Sequence, residues 1–502
     1  CQTSSDVLTP TIDGRWGRPR SDQAFAMLPP EKQPEGVLEL FALGGMSPWE
    51  SFFTVPDYPM FHTFDQGSGL PGASLQEWFN KCGNGDGPLV RDPAFGSTVE
   101  GFPVHLGPFV YPLWGRPDIL KRMRVWVMSH TNEPHETAIP FALTGHGLGN
   151  PRMAGPGAHV QRYFQDSPGG LSAPAAYAIY LSRFSHAGNG LAATSVGLHR
   201  ASARPLPILI GKSTQLPEHL LRPSVKGFRS ELDALVDHYV ARYRQRLTGS
   251  DGRGLRAPGF DDYAAARYAL RHTDTLSSIL GPTSLESAFI PTCLDHPLPG
   301  YPPGAADDDT TTAVRLGAHL LTNDVARARF VQVLDSGLFT DPAGQGYDSH
   351  QSHVIQKGVN LVQLCNALVS VINEPGENDP RKLDLDKHFI LLNTEFGREP
   401  KPERSLQFKE GGGTNHWPFA YVVVGFGGFV DEERSGLVGN ITSDALATEE
   451  ASTPEELRAA LLLAQGIWPF TPESFNVGNI RGGTTELEAA VFLRERILGY
   501  PV

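Results

Sequence analysis

His388-Phe389-Ile390-Leu391-Leu392 runs directly into Asn393-Thr394-Glu395-Phe396-Gly397-Arg398. A short apolar run that breaks into polar residues reads as a buried strand with functional groups at its carboxyl end. Val37-Leu38-Glu39-Leu40-Phe41-Ala42-Leu43, stopped by Gly44-Gly45, repeats the pattern, and so does Tyr421 to Val424. These three are expected as inner strands, because a half-exposed strand would alternate with polar residues. Arg124 to Met128, Ala175 to Leu181 and Pro207 to Ile210 are further short strand candidates.

Helical patterns separate these runs. One begins near His135. Ser224 to Leu247 carries Leu232, Leu235, Val236, Tyr239 and Val240 on one face, and Tyr263 to Leu280 and Asp324 to Leu338 continue the pattern. Gln351 to Ile372 is the longest candidate. In Ser452-Thr453-Pro454-Glu455-Glu456-Leu457, Thr453 suits an N-cap, Pro454 the first helical position and Glu456 a capping box. Strands alternating with helices predict an α/β fold, with a mainly parallel central sheet and helices on both faces. The expected organisation is a polar, Pro-rich arm over 1–35, a core over 36–470 with a mostly helical insertion at about 215–340, and an extension over 471–502.

Of the 502 residues, 40% are hydrophobic and 19% charged, enough for a sizeable core. The 54 glycines and 42 prolines predict many turns. A net charge of −13 disfavours nucleic acid as a partner. No apolar run is long enough to span a bilayer. Cys1-Gln2-Thr3-Ser4-Ser5-Asp6 resembles the mature end of a bacterial lipoprotein, which would place lipid on Cys1 and hold the protein on a membrane surface. A chain that merely happens to begin there is the plainer alternative. Cys365 lies in an apolar helical run and reads as core, whereas Cys82 and Cys293 could pair in an oxidising compartment.

Four polar segments carry candidate chemistry. In Gly344-Gln345-Gly346-Tyr347-Asp348-Ser349-His350-Gln351, Asp348 and His350 are two apart and share one side of an extended backbone. A carboxylate with an imidazole suits a divalent ion, although Asp348 or Ser349 could instead cap the following helix. Glu395 ends a strand, and Arg398 could clamp an anion or pair with Glu395. His416 follows Gly411-Gly412-Gly413-Thr414-Asn415, where glycines permit close backbone approach. His135-Glu136 follows Ser129-His130-Thr131-Asn132, and a helix start there would favour an anion or a nucleophile. Each segment also has a structural reading: capping by Asn132, a loop histidine at His416, or His135 bonded to carbonyls near His130.

Taken in order, Gly-Gly-Met-Ser, His…Thr-Gly, Tyr-Asp-Ser-His, Thr-Glu-Phe-Gly-Arg and Asn-His-Trp-Pro resemble the bacterial domain of unknown function 1501 family. That family is sulfatase-like and belongs to the alkaline phosphatase superfamily. The resemblance spans roughly residues 36–470. It implies a three-layer sandwich, with Asp348, His350, Glu395 and His416 at the metal site and His135 at the nucleophile's position. Three departures stand out. Gly44-Gly45 falls where active relatives place a metal-binding Asp, Glu50 where many carry Asp, and Asn415 where Asp precedes His416. One divalent ion (Zn, Mn or Ca) is therefore expected rather than two, with a neutral His135 facing it from a helix start.

The expected function is an exported, metal-dependent hydrolase of phosphate or sulfate esters, with His135 and Arg398 as its catalytic residues. The alternative is a non-catalytic cell-envelope lipoprotein, outer-membrane or periplasm-facing and conceivably at the cell surface, that binds a protein partner or ligand.

Overall fold

The structure, a computed structural model, describes residues 16–58, 87–150, 154–165, 173–181, 203–210, 273–280, 309–337, 346–350, 353–400, 413–471 and 473–502, with isolated residues between. Among the described residues twelve strands are numbered in chain order. The central sheet is built from β1 (Gly36–Ala42), β4 (Met123–Met128), β5 (Ala176–Leu181), β6 (Leu206–Ile210), β7 (Phe330–Asp335), β8 (His388–Thr394), β11 (Tyr421–Gly427) and β12 (Gly436–Val438). Its order is β12-β4-β11-β8-β1-β7-β5-β6, and every strand runs the same way except β11. Two small antiparallel pairs stand apart: β2 (Arg91–Ser97) with β3 (Pro103–Leu106), and β9 (Gly397–Arg398) with β10 (His416–Trp417).

The three strands expected at the centre lie side by side there. β1 pairs in parallel with β8, Val37 opposite Phe389 and Leu40 opposite Leu392, and β11 flanks β8. Every residue of β1, β8 and β11 is buried, as their unbroken apolar runs require. Alternate residues feed two cores: Leu38, Ile390, Leu392, Val422 and Val424 face one side, and Val37, Phe389, Leu391 and Val423 the other.

Six helices matter here: α1 (His135–Thr144), α2 (Pro156–Gln165), α3 (Asp309–Thr322), α4 (His353–Ser370), α5 (Pro454–Ala464) and α6 (Glu486–Phe492). Buried residues of α3 and α4, such as Leu316 and Leu364, join the first core, while Val160 of α2, Leu461 of α5 and Ala490 of α6 join the second. The result is a three-layer α/β arrangement with a mostly parallel middle layer.

The N-terminus of α5 has the expected chemistry. Thr453 Oγ1 accepts from Glu456 N–H at 3.3 Å, and the Glu456 carboxylate accepts from Thr453 N–H at 3.1 Å. Thr453→Ala is expected to lower stability by about 1 kcal/mol, read as a shift in the urea midpoint.

One expectation is corrected, and both described ends of the chain pack on the core. The helical pattern over Asp324–Leu338 does not form a helix: residues 324–329 are irregular, and Phe330–Asp335 is β7, paired between β1 and β5. Phe330-Val331-Gln332-Val333-Leu334 is a fully buried run, for which periodicity does not separate strand from helix. Residues 309–335 therefore belong to the sheet and its covering layer, not to a helical insertion. The described part of the N-terminal arm packs on the core as well. Ala26 and Leu28 are buried, and Trp468 N–H donates to the Gly17 carbonyl at 2.7 Å. The C-terminal stretch packs on the core too: Ile497 is buried, and its carbonyl accepts from Trp126 Nε1 at 2.9 Å.

In the helical pattern Ser224–Leu247, the described residues 234–236 are helical, with Leu235 exposed. Thr273–Ile279 is the described helix within Tyr263–Leu280. Cys365 is free and buried, while Cys1, Cys82 and Cys293 lie outside the described residues. Among the described residues no helix is long and apolar enough to cross a membrane.

Candidate metal centre

The polar segments meet at the carboxyl ends of the central strands. β1 ends in Gly44-Gly45, β8 in Glu395, and the loop carrying Asp348 and His350 leads from β7 to α4. His135 opens α1 after β4, and its N-cap position is Pro134, without side-chain capping by Asn132. β9 and β10 set His416 opposite Arg398.

Asp348 is the hub. Its Oδ1 lies 3.1 Å from His350 Nε2, 3.3 Å from His416 Nε2 and 2.9 Å from Arg398 Nη1, while Oδ2 lies 3.4 Å from His135 Nε2. The two ring nitrogens of His350 and His416 are themselves 3.2 Å apart. Burial alone would raise the Asp348 pKa, but the three imidazoles and Arg398 hold it well below the usual carboxylate range.

His135, Asp348 and His416 can each offer one ligand atom, all within 4.8 Å of one another, so this group could hold a metal ion. Two outer contacts prepare its imidazoles. His416 Nδ1–H donates to the Glu133 carbonyl at 3.0 Å and turns Nε2 towards Asp348. His135 Nδ1 lies 3.0 Å from Glu395 Oε1 and turns Nε2 towards Asp348. Phe396 stacks on the His416 ring at 4.3 Å between centroids and steadies it further.

Glu395 therefore plays a different part from the one its strand-end position suggests. It is fully buried, and Oε1 also accepts the Gly44 N–H at 2.6 Å. It lies outside the metal-capable group and orients His135 instead. Glu395→Gln is expected to weaken divalent-ion binding by about 10–100-fold while leaving the ligands in place, measured by competition with a chromophoric chelator.

A neutral His135 is expected opposite a bound ion; in the ion-free protein it is held in its protonated form. Desolvation pulls its pKa down, but hydrogen bonds and charge from Asp348 and Glu395 outweigh that and raise it to about 9. Two carboxylates at contact distance outweigh a helix dipole that acts against the cation. The raised pKa sets the linkage. In the ion-free protein the stabilisation from this contact is complete below the free value of 6.5 and is lost as pH rises through about 9. An ion on Nε2 must displace that proton. Its apparent affinity should rise about tenfold per pH unit while pH lies below about 9 and level off above it, a slope that titrations at several pH values will read.

Arg398 does not face an open anion site. It is fully buried, and its guanidinium bonds Asp348, the Gly44 carbonyl at 3.2 Å and both Thr414 oxygens. It fixes the Asp348 carboxylate and ties the loop after β1 to β10, so the anion-clamp reading is corrected. Gly44 shows why no carboxylate stands at the end of β1. Its φ is +117°, and any Cβ there would run into the backbone nitrogen of Asp348.

Several residues escaped the sequence reading. His130 Nδ1 accepts from Asn132 N–H at 3.1 Å and its Nε2–H donates to the Glu395 carbonyl at 2.7 Å. Burial lowers its pKa to about 4, so it is neutral. His353 lies behind the site, with Nδ1 2.8 Å from Ser349 Oγ and Nε2 3.6 Å from buried Glu50. Its three-residue spacing from His350 was the available signal. Lys357, one turn further along α4, donates to the Gly45 and Tyr347 carbonyls, and nothing in a helical pattern marks it out. The chain matches no family model, no curated protein and no solved structure, so what this site does rests on its own atoms.

Proposed function

We propose that the chain is a hydrolase-like protein with one divalent ion held by His135, Asp348 and His416, with His350 beside them, acting on phosphate or sulfate esters. The observation that carries the ion is that ligand atoms of His135, Asp348 and His416 lie within 4.8 Å of one another, with Asp348 Oδ1 3.3 Å from His416 Nε2 and Asp348 Oδ2 3.4 Å from His135 Nε2. Ligands about 2.0–2.1 Å from a tetrahedral zinc ion stand about 3.3 Å apart. Imidazole nitrogens favour zinc over manganese or calcium, which suit oxygen ligands. When bound, such an ion supplies Lewis-acid polarisation of an ester oxygen. The protein's own groups do the rest. Glu395 and the Glu133 carbonyl aim two imidazoles, Arg398 keeps Asp348 ionised, and the partly open faces of His135, His350 and His416 admit a ligand from solvent.

A second reading, the non-catalytic envelope protein, has its own support. Gly44 leaves no room for a further carboxylate, and Arg398 is engaged internally rather than presented to an anion. Hydrolysis of aryl phosphate and aryl sulfate esters with added Zn²⁺ or Mn²⁺ separates the two. The hydrolase reading expects turnover that is lost in both His135→Ala and Asp348→Ala. Turnover surviving both substitutions overturns this centre as the catalytic one. Stoichiometric ion binding without turnover leaves the binding protein.

A further inference from the structure

At the opposite, amino-terminal end of the strands lies a cavity of about 790 Å³. It opens beside Glu35, which precedes β1, and Arg329, which precedes β7. Its walls are apolar: Phe25, Met27 and Leu28 from the N-terminal segment face Tyr163 and Phe164 of α2. Three arginines enter these walls against the one carboxylate of Glu35.

The three differ in what they already hold. Arg494 donates to the carbonyls of Phe25, Met27 and Pro501, so it builds the wall. Arg329 gives one bond, to the Glu35 carbonyl at 3.1 Å, and lies 5.3 Å over the Phe164 ring. Arg18 lies 4.6 Å over the Tyr163 ring, and its buried Nε has no hydrogen-bond partner among the described residues. A buried donor without an acceptor costs free energy, and a guanidinium held over an aromatic ring still presents its N–H groups to an anion.

We propose that this cavity is a binding site, separate from the metal centre, for a small anionic amphiphile: an apolar chain or ring ending in a carboxylate, sulfate or phosphate. The acid group meets Arg18 and Arg329, and the apolar part lies against Met27, Leu28 and the aromatic pair. The volume falls within the range of small-molecule sites, about 300–1,000 Å³. Charge complementarity excludes cationic ligands, and the apolar walls disfavour bare inorganic anions.

Octanoate, octan-1-ol and acetate are the probes, titrated calorimetrically into the full chain with chelator present. Octanoate is expected to bind at least about tenfold tighter than either of the others, since both the charged contact and the apolar contact are needed. Arg18→Gln and Arg329→Gln should each weaken octanoate by about tenfold or more and leave octan-1-ol unchanged. Arg18 makes no hydrogen bond within the described protein, so its substitution leaves the fold intact, and circular dichroism checks this. Octanoate binding no tighter than octan-1-ol or acetate, or binding unaltered in both variants, overturns the proposal. So does octanoate binding that needs an added divalent ion, because the ligand would then sit at the metal centre.

Discussion

Asp348→Asn is expected to lower divalent-ion affinity by more than about 100-fold, beyond the loss from an outer-shell partner. The same substitution should destabilise the ion-free protein by about 3–5 kcal/mol. Both effects follow from its position as hub. Its carboxylate faces three imidazoles, and it is the side-chain anion hydrogen-bonded to Arg398, whose side chain is fully buried. Asparagine can still accept a hydrogen bond but cannot neutralise that guanidinium. Chelator competition reads the first effect and urea unfolding the second. An ion affinity within about threefold of the parent would remove Asp348 from the ligand set, since even outer-shell losses exceed that.

Arg458→Met should be the most destabilising single change in the body of the fold, by about 3–5 kcal/mol. Glu39 sits in the middle of β1 and is fully buried. Its Oε1 accepts from Arg458 Nη2 at 2.5 Å and Asn393 Nδ2 at 3.0 Å, and Oε2 accepts from Gln332 Nε2 at 2.7 Å. Arg458 also donates to the Ala142 carbonyl at 2.7 Å. One carboxylate thus ties β1 to β7, β8 and α5. Removing the arginine leaves that charge with two neutral amides in a dry interior, whereas Glu39→Leu combined with Arg458→Met removes both charges and should cost less than the single change. Urea unfolding of the single and double variants checks the order. A double variant less stable than Arg458→Met would show that the pair is not the source of the effect.

The central strands were legible because burial on both faces leaves an unbroken apolar run with a sharp polar or glycine stop, as at Leu43-Gly44-Gly45 and Leu392-Asn393. β7 was not. Ala326-Arg327-Ala328-Arg329 extends a helical pattern into it, and the polar Gln332 makes sense only beside Glu39 on a strand 293 positions away. The meeting of Asp348, His350, Glu395 and His416 followed from the rule that sites form at carboxyl ends of strands. Their separate roles did not follow. Glu395 reads as a ligand until the left-handed Gly44 brings its N–H onto the carboxylate, and His135 reads as a base, a ligand or a nucleophile alike until both its nitrogens are seen facing carboxylates. Arg398 reads as an anion clamp because its burial depends on the loop that β10 closes over it. These are tertiary facts that no local pattern carries.

The metal centre concerns atoms that can be probed directly. X-ray absorption at the zinc edge, on protein loaded by dialysis and assayed for metal content, tests it most simply. One zinc per chain is expected, in a shell of about 2.0–2.1 Å dominated by imidazole nitrogen with carboxylate oxygen, and lost in Asp348→Asn. Two ions per chain, or a shell of oxygen with little imidazole, would contradict it.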